Sequence, residues 1–328
     1  MTLFKKLVLS IVVLALLAVG GLAYWGRQPV FETGDPIPFT IKSGSGLDSV
    51  VQQIASAGVP VNPEILGILA RLTGKSGKLK AGSYEIKPGT TPLRLITQLV
   101  RGEFAQESLT VIEGWTFRQM RQAIAAQSAL KHDTQLLSDA ELMAKITPDY
   151  TLPEGLFAPD TYLFAKGSSD LQVYKQAHAL LLKRLNSAWE NRDLSVPYKS
   201  PYEALIMASI VEKETGRKAE RTNIAGVFVN RLRLGMLLQT DPTVIYGMGE
   251  QYEGRIRKRD LTTDTPYNTY TRAGLPPTPI ALPGDESLHA AMNPAKTDAL
   301  FFVAKGDGSS HFSSSLGEHN QAVNKYQR

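Results

Sequence analysis

The chain has 328 residues, 43% hydrophobic and 20% charged, enough for a membrane segment and about two globular domains. The absence of cysteine excludes disulfides, thiolate metal sites and a cysteine nucleophile. The net charge of +5 is spread without a basic run, which argues against nucleic acid as a partner and leaves an anionic membrane surface or an acidic polymer compatible.

Lys5 and Lys6 precede an uncharged run over residues 7–26, about 30 Å long as a helix and enough to cross a bilayer core. Tyr24 and Trp25 close it, where interfacial aromatics belong. The lysines favour a cytoplasmic N-terminus at residues 1–6, so the bulk of the chain should lie outside the cytoplasm. Gly21-Leu22-Ala23 would also serve as a signal-peptidase site, but the run is long for a signal peptide and favours a single-pass anchor. A polar tether follows over residues 27–37.

Residues 38–104 read as a small α+β unit. Phe39-Thr40-Ile41 is a strand, Leu47 to Ala57 an amphipathic helix stopped by Gly58, and Asn62-Pro63 starts a second helix to about Thr73. Gly82 to Ile86 is the second strand, and Thr91-Pro92 starts another helix that ends near Gly102. The βααβ order, with its opening TIKSGSGLDSVVQQI, resembles a LysM-type peptidoglycan-binding module, with a generic small α+β domain as the alternative.

Residues 108–328 make a mixed α+β domain. Leu109 to Ile112 is a short strand and Phe117 to Gln127 a helix, while residues 128–153 are polar with no clear element. Glu154 to Tyr162 is either a plain turn or a cleft wall, and Leu171 to Glu190 is a long amphipathic helix. Arg221 to Leu232 is a helix. The stretches from Gly235 to Thr243, Pro266 to Tyr270 and Gly274 to Pro277 read as loops dense in Asn, Thr, Tyr and Pro, a style common on sugar-binding surfaces and in ordinary long loops alike. Leu300 to Ala304 and Ser310 to Ser314 flank a Lys-Gly-Asp-Gly turn and form a hairpin; Leu316 to Tyr326 closes the chain as a helix.

The most informative helix opens at Ser200. Ser200 can cap, Pro201 suits the first helical position, and Glu203 completes a capping box. At 100° per residue, Met207, Ile210 and Val211 share an apolar face with Glu214, while Ser209, Glu212 and Lys213 point to a wet flank. A carboxyl on an apolar face holds its proton, as a general acid must near neutral pH. The alternative is an ordinary ion pair of Glu214 with Lys218 or Arg217.

The five histidines form no H-E-x-x-H and no close pair with a carboxylate at ligand spacing. His311 and His319 read as solvated or capping residues. There is no G-x-S-x-G, no phosphate-binding loop and no dinucleotide fingerprint. Carboxylates are left as the main candidates for catalysis, which points to glycosidic-bond chemistry, with Asp241 or Glu154 as a second acid for Glu214.

Four stretches, EGLFAPDTY at 154–162, ASIVEKET at 208–215, NRLRLGMLLQTDPTVIYGMG at 230–249 and YNTYTRAGLPP at 267–277, resemble the YceG-like family. The resemblance implies a membrane-anchored lytic transglycosylase that cleaves the β-1,4 bond between N-acetylmuramic acid and N-acetylglucosamine without water. It leaves a 1,6-anhydro end and terminates nascent glycan strands. Glu214 matches the family's catalytic acid, and as a single acid/base it needs no carboxylate partner, because the substrate's own C6 hydroxyl is the nucleophile. By the same match Glu154, Asn230, Gln239, Thr240, Asp241, Tyr267 and Asn268 bind substrate. Glycan strands, the membrane and peptidoglycan synthases are the implied partners; no metal or cofactor is implied.

Overall fold

The computed structural model describes residues 3–327. The fold is mixed α+β, and the chain divides into two compact units, Met1–Glu107 with Leu163–Ser168, and Ser108–Tyr162 with Ser169–Arg328.

The first unit opens with helix α1 (Leu3–Trp25). Its stretch Phe4–Trp25 is long and apolar enough to cross a membrane, and its most apolar part is not buried by protein. Only its end is tied down: Leu22 and Trp25 pack against the core of this unit, and Gly26 donates to Leu22 O at 2.8 Å and accepts from Leu93 N at 3.1 Å. Then come β1 (Ile37–Ile41), α2 (Leu47–Ser56), α3 (Pro63–Leu72), β2 (Gly82–Ile86) and α4 (Pro92–Arg101). The βααβ order is the one read from the sequence, and the strands pair antiparallel with Phe39 opposite Tyr84. Their rings stack at 5.5 Å over a core that includes Ile54, Leu66 and Leu95. The expected caps form: Asn62 accepts from Glu64 N and Ile65 N, and Thr91 from Arg94 N.

β3 (Gln106–Thr110) follows and pairs with β4 (Thr161–Ala165). β3 lies earlier than the expected Leu109 to Ile112: it ends at Thr110, and Val111 and Ile112 lead into the turn at Glu113-Gly114. α5 (Phe117–Ala126) is the expected helix. The polar stretch without an assigned element contains α6 (Asp139–Ile146), held by a complete Ser138–Glu141 capping box. Its apolar stripe is only Leu142 and Met143, too short for a periodic signal.

The second unit is organised around α8 (Pro201–Glu214), preceded by α7 (Asp170–Glu190) and followed by α9 (Arg221–Arg233), α10 (Asp241–Met248), α11 (Lys258–Thr262) and α12 (Asp285–Met292). α7, α9, α10 and α12 all pack on α8. Every residue from Ala204 to Val211 is buried, so of the expected wet flank Ser209 is covered and Lys213 is exposed. The start of α8 is nearly as read. Ser200 Oγ accepts from Glu203 N at 3.3 Å, but Glu203 Oε2 takes the Lys199 amide at 2.7 Å instead of closing a box on Ser200. The hairpin of β5 (Phe301–Ala304) and β6 (Ser310–Ser313) is antiparallel, and α13 (Leu316–Tyr326) packs against both strands.

Candidate active site

α8 carries two glutamates near its C-terminal end, and the structure assigns them opposite environments. Glu212, expected on a wet flank, is sealed in: its side chain is 5% exposed and pairs at 3.1 Å with Arg221, whose side chain is 6% exposed. Its other oxygen accepts from Gly284 N at 3.0 Å and Ser287 Oγ at 2.7 Å. At Glu212 the face expected to be wet is covered by α12 and α9, which helical periodicity on α8 alone cannot reveal.

Glu214, the last residue of α8, opens into a cleft of about 800 Å³. Neither expected ion pair forms. Lys218 Nζ donates to Glu286 at 2.7 Å, and Arg217 Nη2 donates to the Asp307 carbonyl at 2.9 Å. The hydrogen bond Glu214 receives among the described residues comes from Thr240 Oγ1 to Oε2, at 2.7 Å. Loss of water contact raises its carboxyl above the usual carboxylate range; the Thr240 bond opposes this and the nearby Asp241 charge adds to it.

The cleft is assembled from the end of α8, one face of α9 (Ile224, Phe228 and Arg231), the 238–241 segment, Tyr270, the hairpin and α13. Gln239 and Asp241 are exposed on its wall, and Tyr270 donates its hydroxyl to Asp241 Oδ1. Thr240 is 2% exposed and reaches the site only through Glu214. The Asp241-Pro242-Thr243 stretch, expected as loop, is the first turn of α10.

Besides Thr240, four expected binding residues do not line this cleft. Asn230 donates to the Thr297 and Ala299 carbonyls at 2.8 and 3.1 Å, fastening α9 to the segment before β5. Asn268 is fully buried; its amide nitrogen donates to the Asp260, Leu261 and Thr263 carbonyls, and its oxygen accepts from Tyr270 N at 2.8 Å. These asparagines satisfy loop backbone that would otherwise be buried without partners. The Tyr267 hydroxyl shares a 2.9 Å hydrogen bond with Thr278.

Glu154 is the fourth, at 7% exposure. It accepts from Phe117 N at 2.9 Å and from the Tyr246 hydroxyl at 3.0 Å, and burial pushes its carboxyl up to about 7 despite both bonds. The following Gly155 (φ +79°) turns so close to Pro279 that a Cβ there would lie 2.3 Å from the proline Cβ. The 154–162 stretch is thus neither plain turn nor ligand-facing wall: Leu156, Phe157 and Ala158 are fully buried core.

Sequence reasoning passed over three cleft residues. Arg231 is 7% exposed, donates to the Leu300, Leu237 and Leu238 carbonyls and to Gln239 Oε1, and lies 5.0 Å from the Phe301 ring centre. His319, expected to be solvated or capping, stacks on the other partner of this group, Phe301, at 5.2 Å, and partial burial lowers its pKa. Tyr270 sat in a stretch read as generic loop. Their common signal is a cation or aromatic beside a motif, too frequent in proteins to single out alone.

The family model described as YceG-like matches residues 39–325. An endolytic murein transglycosylase of Bacillus subtilis is 32% identical over 333 residues, spanning 94% of this chain and 91% of that protein. One from Streptococcus pneumoniae is 28% identical over 364 residues, spanning 97% of this chain but 65% of that longer protein. A crystal structure of a YceG-like protein from Listeria monocytogenes aligns with a TM-score of 0.57 at 30% identity, covering 88% of this chain and 99% of that one. With its sequence matched from β1 to α13, the chain belongs to the YceG-like family.

Proposed function

We propose that this chain is a lytic transglycosylase, a lyase acting on peptidoglycan, in which Glu214 is the single general acid/base. The observation that carries the reading is a carboxyl raised by burial, without an ion-pair partner among the described residues, at the wall of an open polar cleft. The names of the relatives from Bacillus and Streptococcus point to the same substrate class.

In the reaction, Glu214 gives its proton to the glycosidic oxygen as the C1–O4 bond breaks. The C6 hydroxyl of the same muramic acid residue forms the new bond to C1, and its proton returns to the carboxylate. Atoms balance without water, and the acid is regenerated. The nucleophile is held within the substrate, so no second carboxylate is needed to activate it. The apolar helix Phe4–Trp25 supports a single-pass anchor with the cleft on the periplasmic side, where it would meet nascent glycan and terminate its elongation beside the synthases. A signal sequence would pass the same length and composition test, and size of the membrane-bound chain separates the two. The βααβ unit within residues 38–104, with its antiparallel β1–β2 pair, supports a LysM-like glycan-binding role next to a catalytic part at 108–328.

Asp241 on the same cleft wall favours a second reading, a two-carboxylate hydrolase. Digestion of glycan strands followed by mass spectrometry decides. Transglycosylation conserves the mass of the strand across the products, and hydrolysis adds one water per cut. Products carrying that water would overturn the proposal.

A further inference from the structure

We propose that Thr240 is a positioning residue for Glu214, and that a closed network of three threonines exists to aim its hydroxyl. The inference rests on the reading of Glu214 as the acid/base and deepens it.

The first observation is a helix cap that is not used. Thr240 is the N-cap residue of α10, yet its side chain makes no capping hydrogen bond. The Ser, Thr and Asn N-caps of α3 to α8 and of α13 all accept from the first turn of their helices. Among the described residues Thr240 is the exception, and its hydroxyl donates to Glu214 Oε2 instead. A stabilising local bond is given up for one that reaches another helix.

The second observation is the frame behind it. Thr240, Thr243 and Thr269 are 2%, 0% and 2% exposed. Thr243 Oγ1 donates to the Thr240 carbonyl at 2.8 Å. Its one hydrogen is then committed, so in the 2.9 Å contact between Thr243 and Thr269 it is Thr269 that donates. Thr269 Oγ1 in turn accepts from Thr240 N at 3.1 Å, and the Thr269 carbonyl accepts from Gln239 N at 3.1 Å. Each hydroxyl hydrogen is thereby assigned, and that of Thr240 has one destination. The third observation is strain: Gln239, immediately before, has φ +52°, the one positive φ at a non-glycine among the described residues. The turn that delivers Thr240 is held in an unfavourable conformation by this frame.

The consequence is chemical. With Oε2 accepting from Thr240, the acidic proton of Glu214 sits on Oε1, the oxygen left for the leaving group. The charged groups and titratable neighbours around this carboxyl are Asp241 on α10, Tyr270 on its loop, Arg231 on α9 and His319 on α13. None of them supplies the missing direction, because Asp241 is bonded to Tyr270, Arg231 donates to backbone carbonyls and Gln239, and His319 stacks on Phe301.

The test uses the full chain in detergent micelles with peptidoglycan strands, and compares wild type, Glu214→Gln, Thr240→Val and Thr240→Ser. Thr240→Val keeps shape and loses the hydroxyl. It should slow anhydro-product formation about tenfold to a hundredfold through misorientation. It should also move the alkaline limb of the pH profile up by about one unit, because a bond favouring the carboxylate is gone. The Glu214 carboxyl carbon, followed by NMR, should titrate with the same shift. Thr240→Ser should restore both. A merely structural role would change neither the limb nor the titration. Thr240→Val with wild-type rate and pH profile overturns the clamp while an inactive Glu214→Gln leaves the acid assignment standing. An active Glu214→Gln overturns the acid assignment and the clamp with it. If Thr240→Val does not fold, Thr240→Ala and Thr269→Val carry the same comparison, and an unshifted titration in both overturns the proposal.

Discussion

Glu212 and Glu214 leave the same helix two residues apart and end in opposite chemistry. Glu212 is enclosed and paired: Arg221 meets one oxygen, and Gly284 and Ser287 satisfy the other. Glu214 has no cation among the described residues and one hydroxyl, at the edge of an open cleft. Both lose water, so burial alone does not distinguish a structural carboxylate from a reactive one. The partner does: a guanidinium fixes the charge, whereas a lone hydroxyl beside Asp241 leaves the proton available.

The comparison can be broken most forcefully at Glu214. Glu214→Gln should reduce anhydro-product formation by about 10³-fold or more while leaving the thermal unfolding midpoint close to wild type. A variant that retained activity would remove the distinction altogether. Glu212→Ala should do the reverse. It leaves the buried Arg221 with only the longer 3.4 Å pair to the half-exposed Glu286, and should cost about 3 kcal/mol in chemical denaturation, with activity lost only as far as folding is lost. Replacing both partners, as in Glu212→Met with Arg221→Leu, should recover much of that stability; a double variant as unstable as the single one would show that the pair does more than neutralise itself.

Glu154 sharpens the contrast as an enclosed acid without a cation partner among the described residues. Its folded-state carboxyl titrates at about 7, above its unfolded value, so the folded state binds the extra proton between the two. Stability from this group is fully present below the unfolded value and falls as pH rises toward 7. Glu154→Gln removes the titration, so its melting temperature relative to wild type should climb across that window and level off above it. A difference independent of pH would mean that Glu154 is already ionised in the folded protein. The smallest effect belongs to the helix start. Ser200→Ala should cost about 1 kcal/mol by equilibrium unfolding and leave the pH profile unchanged, since the cap sits at the far end of α8 from Glu214.

Much of the fold was legible because its signals are local. Asn62-Pro63, Thr91-Pro92 and Ser200-Pro201 announce helices by chemistry that acts within one turn, and all three start where expected. The apolar run before Gly26 and the hairpin around Gly306 belong to the same class. α10 was missed because its N-cap threonine and Asp-Pro sit in a Gly- and Thr-rich stretch that also reads as loop. Asn230 and Asn268 looked like ligand-facing amides and turned out to bond backbone, since an amide on a motif carries the same letter whichever partner it finds.

By itself, the sequence determined the α+β class, the apolar N-terminal helix, the βααβ order, the family and the choice of Glu214 as the acid to examine. Tertiary structure alone decided that Glu212 is buried rather than wet, that Glu154 is enclosed, and that Thr240 faces Glu214 instead of capping its own helix. The reason is one of range. Periodicity and capping are set by neighbours within about four residues. Which faces of α8 are covered, and which hydroxyl reaches its last carboxylate, depend on α9, α10 and α12, each placed by the packing of the whole unit.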